Sequence, residues 1–412
     1  MARLTVRGPV ELKGTVRISG SKNGSLPVLI ASLLTDEKMV IRNVPDIADV
    51  KVILDLLRLL GKKVIFSNNA VEITGELLGT EAPYDLVNRM LASILVLGPL
   101  AVRKKTTRVS LPGGCAIGSR PINIHLDGFR KLGCTERLES GYVVMNARNL
   151  KPARILMDFP SVGATENLLL AASLIPGKSI LENTALEPEI EILSGCLVKM
   201  GAGIEHKGSI LAVTGRKRLH GTVYTVPPDR IEAGTYLMAS AATEGKILIE
   251  DFPFSHSGAL LDKIGQAGIR TEKKKNSLLV HPARRVMNTD IETAPYPGFP
   301  TDLQPLWAVL MTRASGKTVI QEHIFKHRFS YLDEIRRMGG EFILRDNVCE
   351  VIPSALKGAD VKIPDLRAGA ALLIASLIAK GKTLLEGKEH LDRGYEKLDL
   401  KLKKLGADIK TC

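Results

Sequence analysis

The feature that most constrains this chain is a repeat of about seventy residues written six times. A helix-like stretch ending in glycine, then β-prone residues, recurs at Leu59-Leu60-Gly61, Lys131-Leu132-Gly133, Lys199-Met200-Gly201, Gln266-Ala267-Gly268, Arg337-Met338-Gly339 and Lys404-Leu405-Gly406. Glycine in that place is the expected left-handed helix stop, and the residues after it begin a strand. A second element lies between these stops. It is an Ala/Leu-rich helix followed by Gly-Lys and a strand, at Gly177-Lys178, Gly245-Lys246, Gly316-Lys317 and Gly381-Lys382. The matching helices over 26–34 and 92–100 lack the Gly-Lys pair. Each repeat reads as two helices alternating with short strands.

Units of this size are too long for a solenoid, whose repeats run to ~20–50 residues. Three units per domain, in two domains, suits a chain of 412 residues. The Ala/Leu-rich helices over 168–174, 237–242 and 368–379 are apolar on nearly all sides, so they belong inside with sheets around them. The natural break lies near Val226-Pro227-Pro228, and a strand over 4–18 is expected to complete the second domain. The expected division is 1–20 with 229–412 in one domain and 21–228 in the other.

The formal net charge of +13 raises the question of an anionic partner. The basic residues are dispersed. Their densest runs, Lys273-Lys274-Lys275 and Arg216-Lys217-Arg218, have no interleaved aromatics, and no zinc-finger, RRM or helix-turn-helix signature is present. A small polyanionic substrate is the better expectation, with no nucleic acid and no membrane partner. Five cysteines, at 115, 134, 196, 349 and 412, are scattered without CxxC spacing, which argues against a disulfide framework and against a zinc site. No metal and no cofactor is expected. The first residues read as a strand at Leu4-Thr5-Val6 rather than an apolar leader, and the longest apolar runs, 91–102 and 368–379, fall short of the ~20 residues of a membrane span. A cytoplasmic, reduced protein is expected.

One stretch stands outside the repeat pattern: Leu111-Pro112-Gly113-Gly114-Cys115-Ala116-Ile117-Gly118-Ser119-Arg120-Pro121. Its glycines and prolines exclude a stable helix or an interior strand, so it is a loop able to move. Cys115 sits in its middle, Arg120 closes it, and Pro121 suits the first turn of a helix over 122–132. A thiol beside a guanidinium and a helix N-terminus is a candidate reactive cysteine. By residue type alone, a small buried cysteine in a tight turn is the commoner case.

With loop and repeats together, the chain resembles the UDP-N-acetylglucosamine enolpyruvyl transferase family over its whole length. The resemblance rests on Ser19-Gly20-Ser21-Lys22-Asn23, the Cys115 loop, Ser161-Val162-Gly163-Ala164-Thr165, Pro228-Asp229-Arg230-Ile231-Glu232, Phe299-Pro300-Thr301-Asp302, Asp365-Leu366-Arg367 and Asp392-Arg393-Gly394-Tyr395. It implies an α/β fold of two inside-out α/β barrels, each of three βαβαββ units with internal helices, and an active site in the cleft between them. It also implies transfer of the enolpyruvyl group of phosphoenolpyruvate to the 3-hydroxyl of the nucleotide sugar, the first committed step of peptidoglycan synthesis and the step that fosfomycin blocks.

Such a reaction protonates the methylene carbon of phosphoenolpyruvate and removes a proton from the attacking hydroxyl, so it needs an acid and a base on opposite sides. By resemblance Cys115 is the acid and Asp302 accepts the hydroxyl proton; taken bare, an Asp after Pro-Thr is more often a helix cap. Lys22 and Arg393 complete the catalytic set. Fixed cations are expected to carry the charge of phosphoenolpyruvate, and guanidiniums bind oxyanions in a bidentate way. Lys22, Asn23, Arg120, Arg328, Arg367 and Arg393 are that group. For UDP-N-acetylglucosamine the resemblance implies Asn23, Arg120, Pro121, Ile122, Asn123, Ile124, Ser161, Val162, Gly163, Asp302 and Ile324. Small residues opening a helix at 161–163 suit a diphosphate, though a plain serine cap reads equally well. His125 and Glu189 are expected to support these groups; otherwise His125 is an ordinary, partly exposed histidine.

The chain departs from the family pattern at Leu91, in Met90-Leu91-Ala92-Ser93, and at Leu186, where the family often has Arg. Arg89, two positions along an expected helix, faces elsewhere. Two alternatives follow: a related enolpyruvyl transferase for another nucleotide acceptor, and a paralogue that binds nucleotide sugar without turnover. The shikimate-pathway transferase shares the fold but lacks this cysteine loop as a hallmark.

Overall fold

A computed structural model describes residues 2–112 and 122–411. The chain forms two compact units, one from Met1–Ser19 and Pro228–Cys412, the other from the described residues of 20–227. Each has its own hydrophobic core.

All six expected helix stops are realised in the same way. Gly61, Gly133, Gly201, Gly268, Gly339 and Gly406 have φ between +75° and +105°. At each, two backbone N–H groups reach back to the helix end, as in Gly61 N–H to Arg58 and Lys62 N–H to Leu57, or Gly133 to Arg130 and Cys134 to Phe129. This paired closure satisfies carbonyls that a helix terminus otherwise leaves open. Gly133 shows why no side chain fits: a Cβ there would stand 2.3 Å from the Asn149 carbonyl oxygen.

The strands make six four-stranded sheets, three in each unit. Every sheet has one parallel edge pair and an antiparallel remainder; Arg154–Leu156 runs parallel to Gly177–Glu182, which pairs antiparallel with Ile210–Gly215 and so leads to Gly203–Lys207. The Ala/Leu-rich helices are the interior. Lys22–Ala31, Leu97–Lys104 and Val162–Ala172 lie inside one unit, and Arg230–Ala242, Gln304–Met311 and Leu366–Ile378 inside the other, each buried along most of its length. The second helix of each repeat is amphipathic instead. Ala48–Leu59 buries Val50, Ile53, Leu54, Leu56 and Leu57 and exposes Leu59 and its lysine and arginine. With few aromatics, packing rests on aliphatic side chains, and the one tryptophan, Trp307, is buried with its indole N–H donating to the Thr289 carbonyl.

The N-terminal segment corrects the sequence expectation. The stretch 4–18 is two strands in two different sheets. Arg3–Gly8 inserts between Gly381–Glu386 and Asp408–Thr411, antiparallel to both. Lys13–Arg17 lies parallel to Lys246–Glu250. In the other unit, Val223–Thr225 lies parallel to Met39–Arg42. Lys13–Arg17 and Val223–Thr225 are edge strands, and each precedes one inner helix in sequence and joins the sheet of another repeat.

Candidate active site

In the unit containing the C-terminus, three expected site residues meet. Asp302 lies in the turn Thr301–Leu303 that leads into Gln304–Met311. The cap position of that helix is Leu303, so the helix-cap reading of Asp302 does not hold. Its carboxylate turns to two guanidiniums instead: Arg328 Nη2 donates to one oxygen at 2.5 Å, and Arg367 Nε and Nη2 to the other at 3.0 and 2.8 Å. Arg328 and Arg367 are 2% and 5% exposed, whereas the Asp302 side chain is 25% exposed, so the charged cluster is reached from the carboxylate side.

Two residues that sequence reasoning missed hold this cluster. Glu322, buried, accepts from the hydroxyls of Thr293 and Thr301 and from the N–H groups of Ile324 and Phe325. Thr301 in turn accepts from Arg328 Nε at 3.0 Å. Ile324 thereby reaches its place through its backbone. Tyr395 lies under the Arg367 guanidinium, 5.4 Å from carbon to ring centroid. Burial lowers the pKa of Arg367, but Asp302, Tyr395 and Asp229 outweigh it and the net shift is upward. Arg393 ends the short helix Lys388–Asp392, two residues before that tyrosine.

In the other unit, Ser21 caps Lys22–Ala31, so Lys22 and Asn23 open an inner helix. Lys22 Nζ lies 3.0 Å from Asp49 Oδ2, and both side chains are largely buried. Asp49 was missed. It sits in the first turn of Ala48–Leu59, on the face that buries Val50 and Ile53, and a carboxylate on an otherwise apolar stripe was the available signal.

Ser161 caps Val162–Ala172 by accepting from the Ala164 N–H at 3.3 Å. Val162 and Gly163 are then the first helical residues, where backbone donors face outward. His125 corrects the expectation of partial exposure, since it is buried. The Gly98 N–H donates to Asn167 Oδ1, so the Asn167 amide nitrogen donates to the Ile94 carbonyl and to His125 Nδ1. That leaves the histidine proton on Nε2. The imidazole borders Gly163, where a Cβ would come 3.5 Å from Cε1. Burial lowers the His125 pKa to about 4, so the ring is neutral near pH 7. Glu166 is buried on the same helix, and burial, then Glu189 and Glu187, push its carboxyl well above the usual range.

Ile122 caps Asn123–Lys131, and Ile124 borders a groove of about 250 Å³ with Asp127, Arg130, Ile155, Leu156 and Asp158. Cys115, Arg120 and Pro121 lie outside the described residues. Leu91 opens a 3-10 helix, Leu91–Val96, and Arg89 lies before it rather than on one continuous helix with it. Leu186 is 41% exposed. Among the described residues no group of three His, Cys, Asp or Glu side chains could hold a metal ion, and no helix is long and apolar enough to cross a membrane.

Residues 6–402 match the family described as EPSP synthase (3-phosphoshikimate 1-carboxyvinyltransferase). The chain belongs to that enolpyruvyl transferase family. Within it, the chain is 44% identical to the UDP-N-acetylglucosamine 1-carboxyvinyltransferase of Lawsonia intracellularis, over 99% of both chains. It is 46% identical to the enzyme of that name from Elusimicrobium minutum, over 99% of this chain and 98% of the relative. Among solved enolpyruvyl transferases, NikO from Streptomyces tendae superposes with a TM-score of 0.92 at 28% identity, covering 100% of this chain and 98% of NikO. An EPSP synthase from Acinetobacter baumannii reaches 0.79 at 17% identity over the full length of both, a likeness of fold alone.

Proposed function

We propose that this enolpyruvyl transferase moves the enolpyruvyl group of phosphoenolpyruvate to the 3-hydroxyl of UDP-N-acetylglucosamine and releases phosphate. The observation that carries the reading is full-length identity of 44–46% to relatives named for that transfer. The cluster of Asp302, Arg328 and Arg367 supports it from the chemistry.

In this reading, addition joins the sugar oxygen to C2 of phosphoenolpyruvate. Cys115 gives its thiol proton to the methylene carbon, and Asp302 takes the hydroxyl proton. The product is a tetrahedral phospho-ketal. Elimination removes a proton from the new methyl group, reforms the double bond and breaks the bond from C2 to the phosphate oxygen. Phosphoenolpyruvate brings a phosphate and a carboxylate, which Lys22, Asn23, Arg120, Arg328, Arg367 and Arg393 would bind. Arg328 and Arg367 already neutralise one carboxylate. Turning them toward the substrate's oxyanions would free Asp302 to act as a base, so that substrate binding and base activation are one event.

The nucleotide sugar would lie along Asn23, Arg120, Pro121, Ile122, Asn123, Ile124, Ser161, Val162, Gly163, Asp302 and Ile324. The helix start at Val162–Gly163 and the Nε2–H of neutral His125 offer donors of the kind a diphosphate needs. A cytoplasmic place at the start of peptidoglycan synthesis, serving cell shape and division, belongs to the same reading.

The test is phosphate release from phosphoenolpyruvate with UDP-N-acetylglucosamine, beside a panel of other nucleotides and sugars. Release with that acceptor alone is expected. Release only with a different acceptor, or with none, would overturn the reading.

A further inference from the structure

Two of the motifs singled out in the sequence, those at Ser19 and at Pro228–Glu232, meet within one unit around a single ammonium group, and Glu396, the residue after Asp392–Tyr395, is joined to them through Ser19. Lys401 Nζ donates to the Arg17 carbonyl at 3.1 Å, to Ser19 Oγ at 2.7 Å and to Glu232 Oε1 at 2.6 Å. These are three acceptors for its three protons. Ser19 Oγ, having accepted from Lys401, donates to Glu396 Oε2 at 2.7 Å, while the Ser19 N–H donates to Glu232 Oε2 at 2.9 Å. Ser19 and Glu232 are buried, and the Lys401 side chain is 21% exposed. The Ser19 carbonyl accepts from the Asp229 N–H at 2.9 Å, so the start of helix Arg230–Ala242 is tied to the same residue.

The far side of this network leads to the anion-binding guanidiniums. Glu396 follows Tyr395, whose hydroxyl lies 3.0 Å from Thr235 Oγ1 and whose ring faces the Arg367 guanidinium at 5.4 Å from carbon to centroid. Arg393 stands three residues before Glu396, in the turn whose Gly394 and Tyr395 N–H groups both return to the Leu391 carbonyl. A single serine hydroxyl therefore joins Lys401 to the segment that carries Arg393 and supports Arg367.

We propose that Ser19 and Lys401 are positioning residues for phosphoenolpyruvate binding: through Glu396 they hold the turn that carries Arg393 and the ring of Tyr395 on which Arg367 rests. Neither touches the reacting atoms. The network acts by keeping two guanidiniums where an oxyanion can be met in a bidentate way, which a flexible turn would not do. The proposal rests on the transfer reading for the identity of the anion, and its geometry lies entirely within one unit.

The test compares Ser19→Ala with Ser19→Thr, which keeps the hydroxyl, by steady-state kinetics and by calorimetric titration with phosphoenolpyruvate. Losing hydrogen bonds to two charged partners is expected to raise both KM and Kd for phosphoenolpyruvate about tenfold or more. The KM for UDP-N-acetylglucosamine and kcat should change less than about twofold, and Ser19→Thr should restore most of the loss. Lys401→Met should reproduce the phosphoenolpyruvate defect. Unchanged phosphoenolpyruvate constants in Ser19→Ala would overturn the proposal, as would a Ser19→Thr variant as impaired as Ser19→Ala. If the unaltered protein binds phosphoenolpyruvate but releases no phosphate with UDP-N-acetylglucosamine, the transfer reading fails and the binding ratio still decides this proposal. If it does not bind phosphoenolpyruvate, both fall.

Discussion

Arg367 meets Asp302 through two guanidinium nitrogens, at 3.0 and 2.8 Å, across 65 residues of sequence. The carboxylate is shared with Arg328, and both arginines are almost wholly buried. Removing the carboxylate would leave two buried cations facing each other, and breaking such a pair costs about 3 kcal/mol or more.

Asp302→Ala is therefore expected to lower thermal stability as well as kcat, the latter by two orders of magnitude or more if Asp302 is the base. Inorganic phosphate should raise the melting temperature of Asp302→Ala more than that of the unaltered protein, because the anion replaces the lost charge. Differential scanning fluorimetry across a phosphate series reads this directly. A variant that only weakens substrate affinity at normal kcat would make Asp302 a positioning group.

Cys115→Ser should lose most turnover while still binding UDP-N-acetylglucosamine. Fosfomycin should add once to the unaltered protein by intact mass and not at all to Cys115→Ser. The thiols of Cys134, Cys196 and Cys349 are buried, and burial pushes each up to about 12, so they should not compete. An adduct that survives the substitution would reject the assignment.

His125 predicts a pH dependence of stability. Its pKa is lowered from 6.5 to about 4 by burial in the folded chain. Between those values the unfolded chain binds a proton that the folded chain does not, so stability is complete above about pH 6.5 and is lost as pH falls toward 4. The loss amounts to on the order of 3 kcal/mol. Urea unfolding at several pH values should show a shallower acid slope for His125→Gln than for the unaltered protein. Equal slopes would mean that the ring is not held neutral by burial.

At the helix stop Gly133, Gly133→Ala is expected to be far costlier than Gly141→Ala in the turn between Thr135–Glu139 and Tyr142–Asn146. Both glycines have positive φ, but a Cβ at Gly133 meets the Asn149 carbonyl at 2.3 Å, and one at Gly141 meets nothing within 4 Å. Backbone strain alone should cost Gly141→Ala about 1 to 2 kcal/mol. The contact should add roughly 2 kcal/mol more at Gly133. Chemical denaturation of both variants checks the difference.

Much of the candidate site was legible from local sequence because its residues stand at helix starts. Ser21, Ser161 and Asp365 cap inner helices, so Lys22, Val162–Gly163 and Arg367 fall in first turns by local rules. Their supports were less legible. Asp49 carried a signal, a carboxylate on an apolar stripe, and Tyr395 closes a quoted motif, but neither names its partner, and Glu322 and Asn167 look like ordinary polar residues in their own neighbourhood. Asp302 shows the limit most plainly. Its neighbours suggest a cap, and only the folded positions of Arg328 and Arg367 turn it away from that role.

The sequence by itself determined the six repeats, the glycine stops and the interior place of the Ala/Leu-rich helices, because those depend on backbone sterics and on which faces of a helix are apolar. Only the tertiary structure decided where the edge strands go. Lys13–Arg17 and Val223–Thr225 each precede an inner helix, yet pair with Lys246–Glu250 and Met39–Arg42 respectively. A strand's local sequence states that its backbone must be paired and which face is buried. It does not say which partner offers the free edge, and that is settled by which strand of the folded chain lies within reach with an unpaired edge.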